Sequence, residues 1–202
     1  HGFDQHHRDH FEYARSWHDI DEDADFCRFY GIMISYGYMN KSLNEWTITL
    51  NLQSDSFVFC TNFLASHNIN YLISSAKSST VHIRWSMNMT NLPINYDHMF
   101  SDNNRYIHPK FLNLPREKAL ALIQGLVNTE GSNVKEIYFH TNSENVVMAV
   151  RYILLRLGVL TSGYIKDDNL SVLRIPKHEN IASVVNFTPY EKMGFFEHNG
   201  ML

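Results

Sequence analysis

The 202-residue chain lacks the features that mark several common protein classes. It has two cysteines, Cys27 and Cys60, whose spacing matches neither a metal knuckle nor a redox pair, so free thiols in a reducing compartment are expected. No apolar run approaches the roughly 18 residues that suggest a membrane span, and no charged-then-apolar leader opens the chain. Neither a glycine-rich phosphate loop nor a Gly-x-Ser-x-Gly elbow is present. The chain begins at His1 without Met, which indicates a fragment of a longer polypeptide or a processed product.

Charge is unevenly distributed along the chain, which carries 17 basic and 21 acidic side chains and a net charge of −4. A protein that grips a long nucleic-acid duplex generally presents a basic face, so we expect modest nonspecific affinity. Five acids cluster just before a predicted helix, where negative charge is favourable to the helix dipole: Asp19, Asp21, Glu22, Asp23 and Asp25. Basic groups fall in predicted strand regions, which leaves room for a local basic surface: Lys77, Arg84, Lys166 and Arg174.

Two segments each carry a pair of glycines six residues apart at the end of a predicted helix. One pair is Gly31 and Gly37, and the other is Gly125 and Gly131. A glycine in an exposed helix interior costs about 1 kcal/mol relative to alanine. Close contact between two helix backbones explains why glycine is present despite that cost, because a residue without a Cβ lets the two helices approach. The four glycines are therefore predicted to form a helix–helix interface.

The repeat extends beyond the glycines. The glycine pairs align at an offset of 94 residues, whereas later blocks align at 90: Phe63-Leu64 with Ile153-Leu154, Ile69 with Val159, and Arg84 with Arg174. A hairpin loop four residues longer in the first copy, predicted around 40–45, accounts for the difference. Several aligned blocks in one order make chance the weaker explanation, so two equivalent halves are predicted.

Apolar periodicity predicts the same order of elements in both halves. In the first half we predict helices over 22–36 and 56–66 and strands over 45–53, 71–74 and 81–87. In the second half we predict a helix that opens at Pro115 and is closed by Gly131, a helix over 144–157, a short helix over 180–185, and strands over 136–141, 164–166 and 171–175.

The second glycine segment carries a family resemblance. Leu122-Ile123-Gln124-Gly125-Leu126-Val127-Asn128-Thr129-Glu130-Gly131 resembles the motif of the LAGLIDADG homing endonucleases, with Glu130 in the acidic position before the last glycine. The first copy, Tyr30-Gly31-Ile32-Met33-Ile34-Ser35-Tyr36-Gly37, has Tyr36 in that position. The resemblance covers roughly residues 20 to 185.

The resemblance implies an α+β fold of two pseudo-symmetric αββαββα half-domains, whose two antiparallel sheets form a DNA-binding saddle. It divides the chain into five parts: a polar, histidine-rich lead over 1–21, a first half-domain with the degenerate motif over 22–90, a linker over 91–113, a second half-domain over 114–187 and a tail over 188–202. The outward strand residues would then contact double-stranded DNA in the major groove: Thr47, Thr49, Asn51, His82, Arg84, His140, Lys166 and Arg174. Any one of these residues is explained at least as well by an ordinary solvent-exposed position on a strand as by contact with DNA.

In this family each motif helix delivers one carboxylate to a shared site, where the pair holds Mg²⁺ or Mn²⁺ for phosphodiester hydrolysis. Glu130 can serve as one catalytic, metal-binding acid. Tyr36 cannot serve as the other, because a phenol is neutral at working pH. Lys77, Lys166 and Lys177 are candidate basic partners. The resemblance therefore implies an endonuclease whose double-strand cleavage is weak or absent.

Three functions remain open: an impaired endonuclease, a catalytically inactive nucleic-acid-binding protein of the maturase type, or a structural remnant. The segments 112–115 and 155–163 look like the endonuclease insert of inteins, including those of ribonucleotide reductases. That context implies a flanking splicing domain and a host protein as partners. We expect a monomer that does not enter membranes and that is cytoplasmic or nucleoid-associated.

Overall fold

The structure, a computed structural model, describes residues 17–86, 92, 94–101, 104–127, 137–165 and 170–185. The first half contains α1 (Ala24–Tyr36), β1 (Gly37–Asn40), β2 (Glu45–Asn51), α2 (Asp55–Ser66), β3 (Leu72–Ser75) and β4 (Thr80–Ser86). A short hairpin of β5 (Phe100–Ser101) and β6 (Asn104–Arg105) joins it to the second half. The second half contains α3 (Arg116–Leu126), β7 (Ile137–Thr141), α4 (Glu144–Arg156), β8 (Ser162–Ile165) and β9 (Ser171–Ile175). Single 3-10 turns cover Tyr96–His98, Pro109–Phe111 and Glu179–Ile181.

The predicted α+β class is confirmed, and both main sheets are antiparallel. The strand order is β1-β2-β4-β3 in the first sheet and β7-β9-β8 in the second. Strands β7, β9 and β8 therefore repeat the arrangement of β2, β4 and β3. Trp46 pairs with Trp85 in the first sheet, and Ile137 pairs with Ile175 at the corresponding position of the second. All four side chains are buried on the helix-covered face.

The helices that follow the central strands begin in the same way in both halves. Ser54 accepts a hydrogen bond from the Phe57 amide at the start of α2, and Ser143 accepts one from the Val146 amide at the start of α4. A serine at this position satisfies a backbone donor that the first helical turn leaves unpaired. The same local chemistry thus starts the helix that packs behind each sheet.

Helices α1 and α3 cross in backbone contact, and two glycines make that crossing possible. A Cβ added to Gly31 would lie 2.5 Å from the Leu122 carbonyl oxygen, and one added to Gly125 would lie still closer to the Arg28 carbonyl oxygen. The offset of 94 residues relates Gly31 to Gly125 and also Arg28 to Leu122. The contact is therefore close to two-fold symmetric, with each glycine under the same carbonyl of the other helix.

The connection between the halves is packed onto both of them. The Tyr30 hydroxyl donates to the His98 carbonyl and accepts from the His108 amide at 3.2 Å, while its ring stacks on Phe111 with centroids 3.8 Å apart. Burial raises the pKa of the Tyr30 phenol, which stays protonated. Before α1, the Trp17 ring lies 4.3 Å from the Arg156 guanidinium on α4. The first half is thus joined to the linker and to the second half by polar and aromatic contacts.

Both cysteines are buried free thiols. Burial raises the pKa of Cys27 and of Cys60 to about 12, so both are protonated at neutral pH. Within the described ranges, no helix combines the length and apolar character required to span a membrane.

Several predicted boundaries were wrong. The second motif helix ends at Leu126 rather than at Gly131, which lies outside the described residues. Gly37 does not lie between the helices: an added Cβ would meet Met33 of its own chain segment, and Gly37 opens strand β1. That strand was not placed from the sequence because its four residues, Gly37–Asn40, are too few to show periodicity. The strand predicted over 45–53 ends at Asn51, whose carbonyl and side chain begin the turn to α2.

Candidate nucleic-acid interface

No helix in the described ranges covers one face of the first sheet, and polar residues occupy most of that face. The antiparallel register places Tyr38, Thr47, Arg84 and Leu72 in one row across this open face. A second row contains Thr49, His82 and Ser74, and a third contains Asn51 and Thr80. The alternation of the strands thus brings five of the predicted DNA-contacting residues onto one surface: Thr47, Thr49, Asn51, His82 and Arg84.

Two of these five are less available than predicted. Thr47 is only 1% exposed, because it lies between Tyr38 and Arg84, whose longer side chains flank it in the row. The Asn51 side chain accepts a hydrogen bond from the Gln53 amide at 2.9 Å and serves the turn after β2. Thr47 therefore lies in the row on the open face but offers almost no exposed surface to a base.

Two pairs on the open face are held by hydrogen bonds between strands. An Arg84 guanidinium nitrogen donates to the Ser74 hydroxyl at 2.7 Å. The Thr49 hydroxyl and the His82 Nδ1 atom are 2.8 Å apart. Each contact fixes the orientation of a side chain that can hydrogen-bond to a base edge or a phosphate. Ser74 was not predicted, because only the register of β3 against β4 brings it near Arg84.

The second sheet offers a different set of groups on its open face. Tyr138 pairs with Arg174, and His140 pairs with Val172. Tyr138, His140 and Arg174 are exposed, whereas Val172 is 1% exposed. Lys166 lies outside the described residues, and Lys177 lies two residues beyond the end of the central strand β9. Tyr138 was missed from the sequence because its aromatic ring suggested core packing.

The ends of the two motif helices nearest the sheets, here called the helix feet, border a cavity of about 550 Å³. Tyr36, Ser35, Arg105, Leu126 and His140 are among its lining residues. The Ser35 hydroxyl donates to the Leu126 carbonyl at 2.9 Å, which ties the two feet together. The cavity lining contains no aspartate or glutamate among the described residues. Glu130 and Gly131 lie outside those residues.

Arg105 is a site residue that the sequence did not reveal. Its guanidinium donates to the carbonyl oxygens of Met33 (3.3 Å), Ile34 and Gly37 at the foot of α1. Burial lowers the pKa of Arg105, which remains a cation. It sits in a hairpin of the predicted linker, 71 residues beyond Ile34, so no local pattern connects the two.

The acidic cluster lies at the opposite end of α1 from the foot. Asp23 caps the helix through the Phe26 amide at 2.7 Å, Glu22 pairs with Lys110, and Asp19 pairs with Lys118 at 2.6 Å. Burial opposes ionisation of Glu22, but the Lys110 ammonium outweighs it and the pKa of Glu22 is lowered. The hydrogen bond from Lys118 likewise lowers the pKa of Asp19. A 13-residue helix spans about 20 Å, so this negative charge is held away from the feet.

The donor atoms at the foot of α1 determine whether a metal ion can bind there. In the described part of the chain no group of three or more His, Cys, Asp or Glu side chains could hold a metal ion. At this foot the side chain in the acidic position is the phenol of Tyr36, the Ser35 hydroxyl is bonded to Leu126, and three carbonyls are bonded to Arg105. Mg²⁺ and Mn²⁺ prefer carboxylate and free carbonyl oxygens. The foot of the first motif helix does not fit a divalent metal ion.

Comparison with known proteins identifies the class of fold. The family model of the LAGLIDADG-like domain matches residues 117–188. Residues 117–188 therefore match a LAGLIDADG-like domain, and the chain has a fold similar to that of the LAGLIDADG homing endonucleases.

Particular solved structures support that assignment of the fold. The structure of I-DmoI in complex with DNA and Mn matches with a TM-score of 0.55 and 16% identity over 80% of this chain and 95% of that one. The homing endonuclease I-WcaI bound to its DNA recognition sequence matches with a TM-score of 0.52 and 10% identity over 92% and 89%. The N-terminal LAGLIDADG domain of DUF199/WhiA matches with a TM-score of 0.55 and 13% identity over 80% and 78%. No curated protein sequence matches.

Proposed function

We propose that this protein binds a long double-stranded DNA site through the open faces of its two sheets. The observation that carries the proposal is the row structure of the first sheet, where Arg84 and His82 are oriented by Ser74 and Thr49 on a face that no helix covers. Strand side chains of these types, presented on a two-stranded or wider ribbon, suit the major groove.

Charge placement and relatives add support. Three of the five clustered acids are paired with lysines or cap α1 at the end remote from the feet, whereas the open faces carry Arg84 and Arg174. The net charge of −4 is thus compatible with a DNA-binding surface. Two of the similar structures, those of I-DmoI and I-WcaI, contain DNA.

We propose further that phosphodiester cleavage is impaired. The resemblance requires a carboxylate at each foot, and Tyr36 takes one of these places. Any remaining hydrolysis would depend on Glu130 with Mg²⁺ or Mn²⁺, which supply Lewis-acid activation of water, and on Lys166 or Lys177 as basic partners. Metal use in the family is consistent with the similar structures that contain Mn, Mg or Ca.

A binding protein without nuclease activity is the second candidate. The foot of α1, with a phenol and a bonded guanidinium in place of a metal-binding carboxylate, favours it. We keep as proposals that the chain acts as a monomer inside the cell and that, if it is an intein insert, a splicing domain and a host protein flank it. The structural-remnant hypothesis predicts no sequence-selective DNA binding at all.

Selection from a random duplex library tests the proposal. We expect the chain to enrich a long, non-palindromic site, with affinity that falls as salt rises. Arg84→Ala should weaken binding. Arg151→Ala removes the same charge from an exposed position of α4, on the other side of the sheet from its open face, and should not weaken binding. Equal effects of the two substitutions, or no enriched sequence, would exclude the sheets as a DNA interface.

Cleavage is tested on the selected site with Mg²⁺ or Mn²⁺. Nicking of one strand that is lost in Glu130→Gln would show that one carboxylate is sufficient. Binding without nicking would establish the second candidate.

A further inference from the structure

The C-terminus of α1 is capped by a residue from the linker rather than by a side chain of the helix itself. The last turn of α1 contains no basic residue, and although the Met33 carbonyl accepts from the Gly37 amide, the carbonyls that follow it have no intrahelical partner. Arg105 donates to three carbonyl oxygens there, those of Met33, Ile34 and Gly37. A cation at a helix C-terminus is favourable because the helix dipole places partial negative charge there.

Arg105 is itself held from the opposite side by the second half. The Ser143 hydroxyl at the start of α4 donates to the Arg105 carbonyl. Two residues further on, the Ile107 amide donates to the Asn145 side chain at 3.1 Å. The guanidinium is therefore presented to the foot of α1 by backbone that is anchored on α4, and it is not a freely moving surface side chain.

Arg105 and Tyr36 line the same cavity. In the family resemblance, position 36 would carry a carboxylate that binds a divalent cation, and backbone carbonyl oxygens lie beside that position here. In this chain a monovalent guanidinium is bonded to those carbonyls and the carboxylate is absent. Two cations cannot share such a place, because like charges a few ångströms apart in a partly buried site repel strongly.

We propose that the Arg105 guanidinium takes the place of a divalent cation at the foot of α1, so that the first half is closed to metal. Arg105 acts as a positioning residue that holds the foot of α1 against the second half. One consequence of this inference rests on the proposed function: any metal-dependent cleavage would take place in the second half alone. It also predicts that restoring an acid at position 36 does not by itself restore a metal site, because Arg105 would pair with that acid.

The experiment is a double-substitution cycle on the full chain with Tyr36→Asp, Arg105→Gln and both together. The first readout is the thermal unfolding midpoint at pH 6.5 and pH 3.5 without divalent ions. A carboxylate beside a guanidinium has a lowered pKa, so its stabilisation is present above the unfolded pKa and is lost as pH falls through the folded pKa. We expect Tyr36→Asp to enlarge the difference between the midpoints at pH 6.5 and pH 3.5, relative to the same chain with Tyr36, when Arg105 is present, and not to enlarge it in the Arg105→Gln background.

The second readout is the number of Mn²⁺ ions bound, measured by electron paramagnetic resonance. We expect no additional ion in Tyr36→Asp and one additional ion in the double variant. An additional Mn²⁺ in Tyr36→Asp alone, or a pH response that does not depend on Arg105, would overturn the proposal. If Arg105→Gln does not fold, Arg105→Lys is combined with Tyr36→Asp: it keeps the positive charge, so an additional Mn²⁺ in that variant would also overturn it.

These readouts need no DNA. A chain that shows the Arg105-dependent pH response but selects no duplex would refute the proposed DNA binding and leave the role of Arg105 intact. A chain that selects a duplex but lacks the Arg105-dependent pH response would support the proposed DNA binding and refute the role of Arg105.

Discussion

The two halves share a backbone plan but differ in what their polar residues do. The first half orients Arg84 and His82 on its open face, yet has Tyr36 and Arg105 at its foot. The second half keeps Glu130 in its motif, yet pairs His140 with a buried Val172 on its open face. Under the proposed function, the half better equipped to hold DNA is thus the one with Tyr36 in the acidic position. The contrast indicates that recognition residues and catalytic acids can differ independently between two halves that share one fold.

The helix crossing is where the halves remain most alike, and substitution there should have the largest effect. Gly125→Ala would place a Cβ against the Arg28 carbonyl, and Gly31→Ala would place a Cβ against the Leu122 carbonyl. Backbone atoms cannot move aside cheaply, so each should lose about 3 kcal/mol of stability, with the greater loss at Gly125. Denaturant unfolding measures this. Gly163→Ala is the control, because its Cβ would meet atoms only at 3.4 Å or more, and an equal loss there would contradict the crossing.

The linker is bonded to the first motif helix at Tyr30, whereas the equivalent position of the second helix is Gln124. Tyr30→Phe leaves the His98 carbonyl and the His108 amide without that partner while keeping the ring stack. An unsatisfied buried polar group costs about 1–3 kcal/mol, and we expect about 2 kcal/mol. Gln124→Ala should change the free energy of unfolding far less. Equal effects in chemical denaturation would show that the linker does not distinguish the helices.

Arg84 and Arg174 occupy equivalent positions on the two sheets, and DNA binding should separate them. The hydrogen bond to Ser74 orients the Arg84 guanidinium on the open face before DNA binds, which reduces the side-chain freedom that Arg84 loses on binding. We expect Arg84→Ala to weaken binding to the selected site by about tenfold and Arg174→Ala to weaken it less. Ser74→Ala should relax the base preference beneath Arg84 with little effect on nonspecific binding. Titration of labelled duplex measures all three, and a larger loss for Arg174→Ala would reverse the proposed roles.

The smallest effect is expected at the remote end of α1. The lowered pKa of Glu22 means that its pairing with Lys110 contributes stability above the unfolded pKa of about 4.3, and that this contribution is lost as pH falls through the lower folded pKa. Because the pair is partly exposed, Glu22→Gln should cost at most about 1 kcal/mol at pH 7 and nothing at the acid end. Unfolding midpoints between pH 7 and pH 3 test this. A constant difference across that range would exclude the ion pair as its cause.

The repeated features of the fold could be predicted because local chemistry dictates them. The glycines at positions 31 and 125, the alternation in β2 and β4, and the caps of α2 and α4 all follow from spacing or residue type. Side-chain availability could not be predicted, since Thr47 is covered by neighbours that only the register brings together. The role of Arg105 depends on a fold that returns the linker to a helix 71 residues earlier in the chain. Contacts between residues far apart in the chain therefore could not be predicted from local sequence patterns.

The separation of charge along α1 has a consequence for how the molecule meets a duplex. With acids at one end and Arg84 and Arg174 on the open faces, the protein is electrically polar although its net charge is −4. Under the proposed function, a polyanionic duplex would repel the acidic end and attract the sheets, and so would orient the molecule before contact. Added salt should therefore slow association, whereas the net charge of −4 alone predicts the opposite, because screening removes the orienting torque and the local attraction.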